Sequence, residues 1–315
     1  MTSIRFALAG FTAGLAAIGL TCICQLTLAA PPNDGATTRP DALEKIPRPD
    51  HVVIVIEENK AYRQIIGNTA APYINRLARH GALFTRSFAV THPSQPNYLA
   101  LFAGGTRGVV DDRCVDSLSG DNLASELARR GLSFAIYSES LPETGFTGCW
   151  AGHYARKHNP AVNWQGVNLP PEANQPLSAL PTDYAKLPTV SIVVPNQLND
   201  MHDGPPLKSI RQGDKWLKDH LDLYVRWAAG HNSLLVLTWD EDDGSSNNHI
   251  VTILVGPMVK HGAYDTRIDH YNVLRTIAEI YDLRPPGESA SKTAIRNIWK
   301  NQRRQPLRGE GRRPE

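Results

Sequence analysis

The feature that most constrains this chain is a continuous β-branched run, His51-Val-Val-Ile-Val-Ile56. An apolar run of that length, with no polar alternation, marks a strand buried on both faces. Such strands belong to parallel sheets covered by helices on either side. Ser233–Trp239 repeats the pattern, and Leu132–Tyr137, Val190–Val194 and Ile250–Val255 are further strand candidates. Segments with helical character lie between them. Pro72–His80 opens with proline and is closed by Gly81, and Ser94–Phe102, Asp121–Arg130, Asp214–Ala229 and His270–Tyr281 follow. Strands alternating with helices predict an α/β fold, a three-layer sandwich whose mostly parallel central sheet carries helices on both faces.

The ends read differently. Arg5, an apolar run from Phe6 to Leu20, and Ala29-Ala30 ahead of Pro31-Pro32 have the layout of a secretory signal peptide over residues 1–30. Cleavage after Ala29 or Ala30 leaves no stable membrane anchor and a secreted or periplasmic protein. An uncleaved anchor, or lipidation at Cys22 or Cys24, is the alternative. Residues 31–49, rich in Pro, Asp, Thr and Gly, are expected to be a linker. Residues 50–300 form the domain, and 301–315, with Arg303, Arg304, Arg308, Arg312 and Arg313, form a flexible basic tail. The formal charge of +2 gives too weak a field for a nucleic-acid binder, so no nucleic-acid partner is expected. After cleavage two cysteines remain, Cys114 and Cys149. In an oxidising compartment they predict one disulfide, with two buried thiols as the alternative.

Ligands of open α/β sheets bind at the carboxyl ends of the strands. Three acid- and amide-rich turns follow the strong strands: Glu57-Glu58-Asn59, Asn199-Asp200-Met201-His202-Asp203-Gly204 and Asp240-Glu241-Asp242-Asp243-Gly244. Oxygen donors from separate strand ends suit a divalent cation. In His92-Pro93-Ser94-Gln95-Pro96-Asn97-Tyr98, a serine flanked by prolines precedes an apolar helix. Ser94 is either a helix cap or a group held at a helix N-terminus, where free N–H groups favour a phosphate. The Pro- and Gly-rich excursion from Glu139 to Pro188 contains Trp150, Tyr154, Arg156, Lys157, His158 and Trp164, and could wall a substrate.

Ser94-Gln95-Pro96-Asn97-Tyr98 resembles the nucleophile turn of the alkaline phosphatase superfamily. With Val53–Asn59, Asn199–Gly204 and Thr238–Gly244 it resembles the bacterial phosphoesterase family of secreted acid phosphatases and phospholipases C. The resemblance runs from about His51 to Leu283 and implies an alkaline-phosphatase-like sandwich. It implies Ser94 as nucleophile, His202 as acid to the leaving group and Asp200 orienting His202. It further implies Glu58, Asn59, Asp240 and Glu241 as ligands of one divalent ion. Asn97, His92, His249 and His270 are the expected substrate contacts; each of the three histidines could equally be structural. The expected activity is a secreted, monomeric phosphomonoesterase acting on a phosphorylated small molecule or a phosphoinositide, phosphatidylinositol 3-phosphate among them. A phospholipase C-like diesterase and an inactive phosphate-binding protein on the same scaffold are the alternatives.

Overall fold

The computed structural model describes residues 45–300. The expected signal peptide, the basic tail and most of the linker lie outside the described residues. At the linker's end, Ile46 is already buried in the core, so packing begins before residue 50.

The first five strands of the main sheet, in chain order, are β1 (His51–Glu57), β2 (Ala82–Phe88), β3 (Phe134–Ser138), β4 (Asn174–Pro176) and β5 (Val190–Val194). They are joined by β6 (Ser233–Trp239), β7 (His249–Val255), β8 (Gly262–Tyr264) and β9 (Ile268–Asp269). The strands make one nine-stranded sheet in the order β8-β2-β7-β6-β1-β5-β3-β4, with β9 also on β2. Only β7 runs against its neighbours, β6 and β2; the other pairings are parallel. β1 lies at the centre, with Val52 opposite Val190 on one side and Leu234 on the other. Its side chains alternate between two cores. Val52, Ile54 and Ile56 enter one, and Val53 and Val55 the other, which is why the run is apolar throughout.

The helices are α1 (Pro72–His80), α2 (Ser94–Ala103), α3 (Leu123–Arg129), α4 (Pro206–Gly230) and α5 (His270–Ile280). α1 and α4 cover the face of Val53 and Val55; α2, α3 and α5 cover the other. The three-layer α/β sandwich is therefore as the sequence predicts. α1 begins at Pro72, and its first N–H groups are bonded from another helix. The carboxylate of Asp214 in α4 accepts from the N–H of Tyr73 at 3.1 Å and of Ile74 at 2.8 Å.

Several elements differ from expectation: β4, β8 and β9 are short strands beyond those expected, and β2 and the start of α4 depart for physical reasons. β2 has no continuous apolar run and is recognisable only through its partners. α4 starts eight residues before Asp214, across Gly213, a residue that weakens helices in isolation. A Cβ at Gly213 would lie 2.4 Å from Met201 Cγ, so the glycine leaves room for the loop that carries His202. The excursion from Glu139 to Pro188 is short hairpin and helical turns, and its Tyr154 and Trp164 are core residues. No helix among the described residues is long and apolar enough to cross a membrane.

Candidate active site

The carboxyl ends of β1, β5 and β6 meet the amino end of α2. The Glu58 N–H donates to Asp200 O at 2.8 Å, and the Asn59 N–H to Asp240 Oδ1 at 3.2 Å. The three turns thus converge. Ser94 occupies the first position of α2, whose ten residues are all buried. It does not cap the helix, because Pro93 stands at the N-cap. The Ser94 hydroxyl instead has three acceptors in reach: Glu58 Oε2 at 3.0 Å, Glu241 Oε1 at 3.2 Å and Asn59 Oδ1 at 3.4 Å. The Asn59 amide in turn donates to Glu241 Oε1 at 2.9 Å.

The electrostatics are unfavourable as they stand. Glu58, Asp200, Asp240 and Glu241 are all buried. Burial, then the charges of Asp240 and Asp200, push the Glu58 carboxyl well above its ordinary range. Burial first, then neighbouring carboxylates, raise Asp240 to about 8 and Glu241 to about 7, and burial foremost raises Asp200 to about 7. Asp200 Oδ2 and Asp240 Oδ2 have no hydrogen-bond partner. Crowded, partly unpartnered oxygen donors are what a hard or borderline divalent cation satisfies. The donor chemistry of Glu58, Asn59, Asp240, Glu241 and the Ser94 hydroxyl fits such an ion. Among the described residues, no group of three or more His, Cys, Asp or Glu side chains is placed to hold a metal ion by itself; the set that fits an ion here includes the Asn59 amide and the Ser94 hydroxyl.

The structure redistributes several expected roles. Asn97 is engaged within its own turn. Its Oδ1 accepts from the N–H of Val90 and Thr91, and its Nδ2 donates to Thr91 O and Pro93 O, so it ties the turn before Ser94. His92 lies on the acids, with Nδ1 2.5 Å from Glu241 Oε2 and Nε2 3.4 Å from Asp242 Oδ1. His270 is buried beneath the site, with Nε2 2.7 Å from the Asp240 carbonyl. His249 bonds Thr85 O at 2.9 Å and stacks on the rings of Tyr62 and Phe88. Asp200 does not orient the His202 ring. It accepts the His202 backbone N–H at 2.9 Å, and Asp203 meets the ring at 2.8 Å. Arg156, rather than meeting an anion, is bonded to Thr147 O, Asp116 O and Asn163 inside the fold.

His158, expected only as part of a substrate wall, stands against the acids. Its Nε2 lies 3.3 Å from Glu58 Oε1 and its Nδ1 3.8 Å from Asp200 Oδ2, and its ring stacks on Tyr98. Tyr98 donates its hydroxyl to Glu58 Oε1. Burial, then Lys157, lowers the His158 pKa, so the ring is neutral. Lys157 Nζ reaches Asp112 Oδ2 at 2.8 Å, and Asp112 Oδ1 accepts the Gln95 N–H at 2.9 Å. Cys114 and Cys149 form the disulfide.

Known proteins resemble this chain in sequence and in fold. The sequence model of the Phosphoesterase family matches residues 68–284. A phosphatidylinositol-3-phosphatase of Mycobacterium tuberculosis is 51% identical over 261 residues, 82% of this chain and 85% of that protein. A probable acid phosphatase of Kluyveromyces lactis is 32% identical over 249 residues, and the match spans 73% of this chain and 58% of the yeast protein. Among solved structures, a Vibrio parahaemolyticus protein of the alkaline phosphatase superfamily shares the fold with a TM-score of 0.57 and 14% identity, covering 80% of this chain and 72% of that one. A lipoteichoic acid synthase of Listeria monocytogenes does so at 0.56 and 10%, covering 82% and 78%. With the family match spanning more than half of its length, this chain belongs to the phosphoesterase family.

Proposed function

We propose that the chain is a phosphoric monoester hydrolase, an acid phosphatase whose nucleophile is Ser94 and whose substrates include phosphatidylinositol 3-phosphate. One observation carries the reading: a buried serine at a helix start, its hydroxyl within reach of Glu58, Asn59 and Glu241. The mycobacterial relative supports the phosphoinositide, since its name states that activity. The disulfide supports an oxidising destination outside the cytosol.

Glu58, Asn59, Asp240 and Glu241 would hold one divalent cation. Bound there, it would offset the carboxylate charges and stabilise the Ser94 oxygen as an alkoxide. The Ser94 Oγ–H proton passes to a neighbouring carboxylate as Oγ bonds to phosphorus and the P–O bond to the alcohol breaks. His202, 35% exposed at its side chain, would give a proton to the departing alkoxide. Water then attacks the phosphoserine, giving inorganic phosphate and restoring Ser94. Lys157 and the neutral His158 would meet the equatorial oxygens, while Asn97, His92 and His270 hold the turn and the acids.

The test is hydrolysis of p-nitrophenyl phosphate beside bis(p-nitrophenyl) phosphate, with and without chelator. Ser94→Ala should keep the fold and lower the monoester rate at least ~10³-fold. Faster turnover of the diester would replace this reading with a phospholipase C-like one. A Ser94→Ala enzyme that keeps a tenth of its activity would remove the serine from its role.

A further inference from the structure

Among the described residues, six large apolar side chains are exposed: Val110, Trp150, Val167, Leu198, Leu207 and Leu223. Three of them sit on the loops that build the site. Val110, 73% exposed, is two residues before Asp112, which accepts from Gln95 at the start of the Ser94 helix and from Lys157. Trp150, 59% exposed, follows Cys149, which is bonded to Cys114 of the Val110 loop. Leu198, 48% exposed, follows Gln197. That residue donates its N–H to His153 O at 3.1 Å and brings its side chain to 3.5 Å from His158 Nδ1. Val110 and Leu198 are therefore one or two residues from a group bonded toward the site, and the three loops are cross-linked by the disulfide and by the Gln197–His153 bond.

We propose that Val110, Trp150 and Leu198 form an apolar rim that sets the catalytic mouth on a lipid bilayer. This rests on the phosphoinositide reading of the site. Three tips separated by polar loops such as Asp111-Asp112 and Gly152-His153 do not make the contiguous area that a stable protein interface needs, about 800 Å² per partner. They do suit shallow insertion, where tryptophan is favoured at the level of the headgroups. Val110 and Leu198 stand within two residues of groups bonded toward the site, and Trp150 is tied to the Val110 loop by the disulfide, so a surface that the tips enter would be brought to the site. A phosphoinositide headgroup lies at that level of a bilayer.

The test replaces Val110→Ser, Trp150→Ser and Leu198→Ser, singly and together, in the mature chain, with the Tm checked for each. Binding is read by sedimentation with phosphatidylcholine vesicles, with and without phosphatidylinositol 3-phosphate. Turnover is read on soluble dibutanoyl phosphatidylinositol 3-phosphate and on the dipalmitoyl lipid in those vesicles. The triple variant should stay within about twofold of wild type on the soluble substrate and fall at least about tenfold on vesicles, with sedimentation lost in parallel. Equal vesicle binding and turnover by wild type and triple variant would overturn the rim. A wild type that cleaves neither phosphoinositide refutes the substrate reading instead, and the sedimentation arm still decides the surface contact.

Discussion

Replacing Asp240 by asparagine should make the chelated protein more stable while abolishing its activity. Asp240 is 1% exposed, its Oδ2 has no partner, and its carboxyl is raised from an ordinary 3.8 to about 8, foremost by burial and then by Glu241. A folded value above the unfolded one means that the folded state holds the proton more tightly. This contribution is fully favourable below the unfolded value and is lost as pH rises toward the folded one. At pH 7 the loss amounts to roughly 4 kcal/mol, at about 1.4 kcal/mol for each pH unit above 3.8. Asparagine has no such loss, but its amide nitrogen enters the place of the unpartnered oxygen, at about 1–3 kcal/mol. The net gain is about 1–3 kcal/mol, or several degrees of Tm for a domain of this size. Thermal melts in chelator at pH 5 and pH 7.5 measure it, and the gap between variant and wild type should widen at the higher pH. With saturating divalent cation the order should invert, because only the wild type gains full binding energy. A variant less stable than wild type in chelator at pH 7.5, or a gap independent of pH, would refute the account of the acids as a repelling cluster.

Other substitutions separate chemistry from scaffolding. His158→Gln should lower kcat about 10²-fold with little change in Tm, the scale for a positioned polar group at the reacting phosphate; full activity would make His158 a packing residue. Asn97→Ala should act through stability, lowering it by about 3 kcal/mol as buried backbone groups lose partners, with KM of the folded fraction unchanged. A raised KM at unchanged Tm would return Asn97 to the substrate. Reducing the Cys114–Cys149 bridge, whose ends are 35 residues apart, should destabilise the domain by about 4 kcal/mol in chemical denaturation. An unchanged midpoint would show that this loop stays ordered without the bond.

Much of the fold is legible because β1, β5 and β6 are buried on both faces and carry their environment in composition. β2 is not, since Thr85, Arg86 and Ser87 interrupt it and its pairing with β7 is set by residues far along the chain. The start of α4 was missed for a similar reason: Gly213 argues against a helix until Met201 is seen filling the space of its absent Cβ. In the site, Ser94, Glu58, Asn59, Asp240 and Glu241 are marked by strand ends and by family motifs. The histidines are harder to assign, because an imidazole is placed by tertiary contacts rather than by spacing. Nothing local distinguishes His158, stacked on Tyr98 beside Glu58, from His249, held between Tyr62 and Phe88.

The position of β1 also sets an order of events during synthesis. The first strand of the domain is the central one, and its neighbours arrive late: Val52 waits for Val190 on one edge and for Leu234 on the other. Contacts of such long range form slowly, because the intervening chain must be gathered before any pairing is rewarded. Until residues beyond 240 have left the ribosome, Ser94 has no Glu241, Asn59 has no Asp240, and the apolar β1 has no complete sheet to enter. A growing chain of this topology stays open and without a catalytic centre through most of its translation.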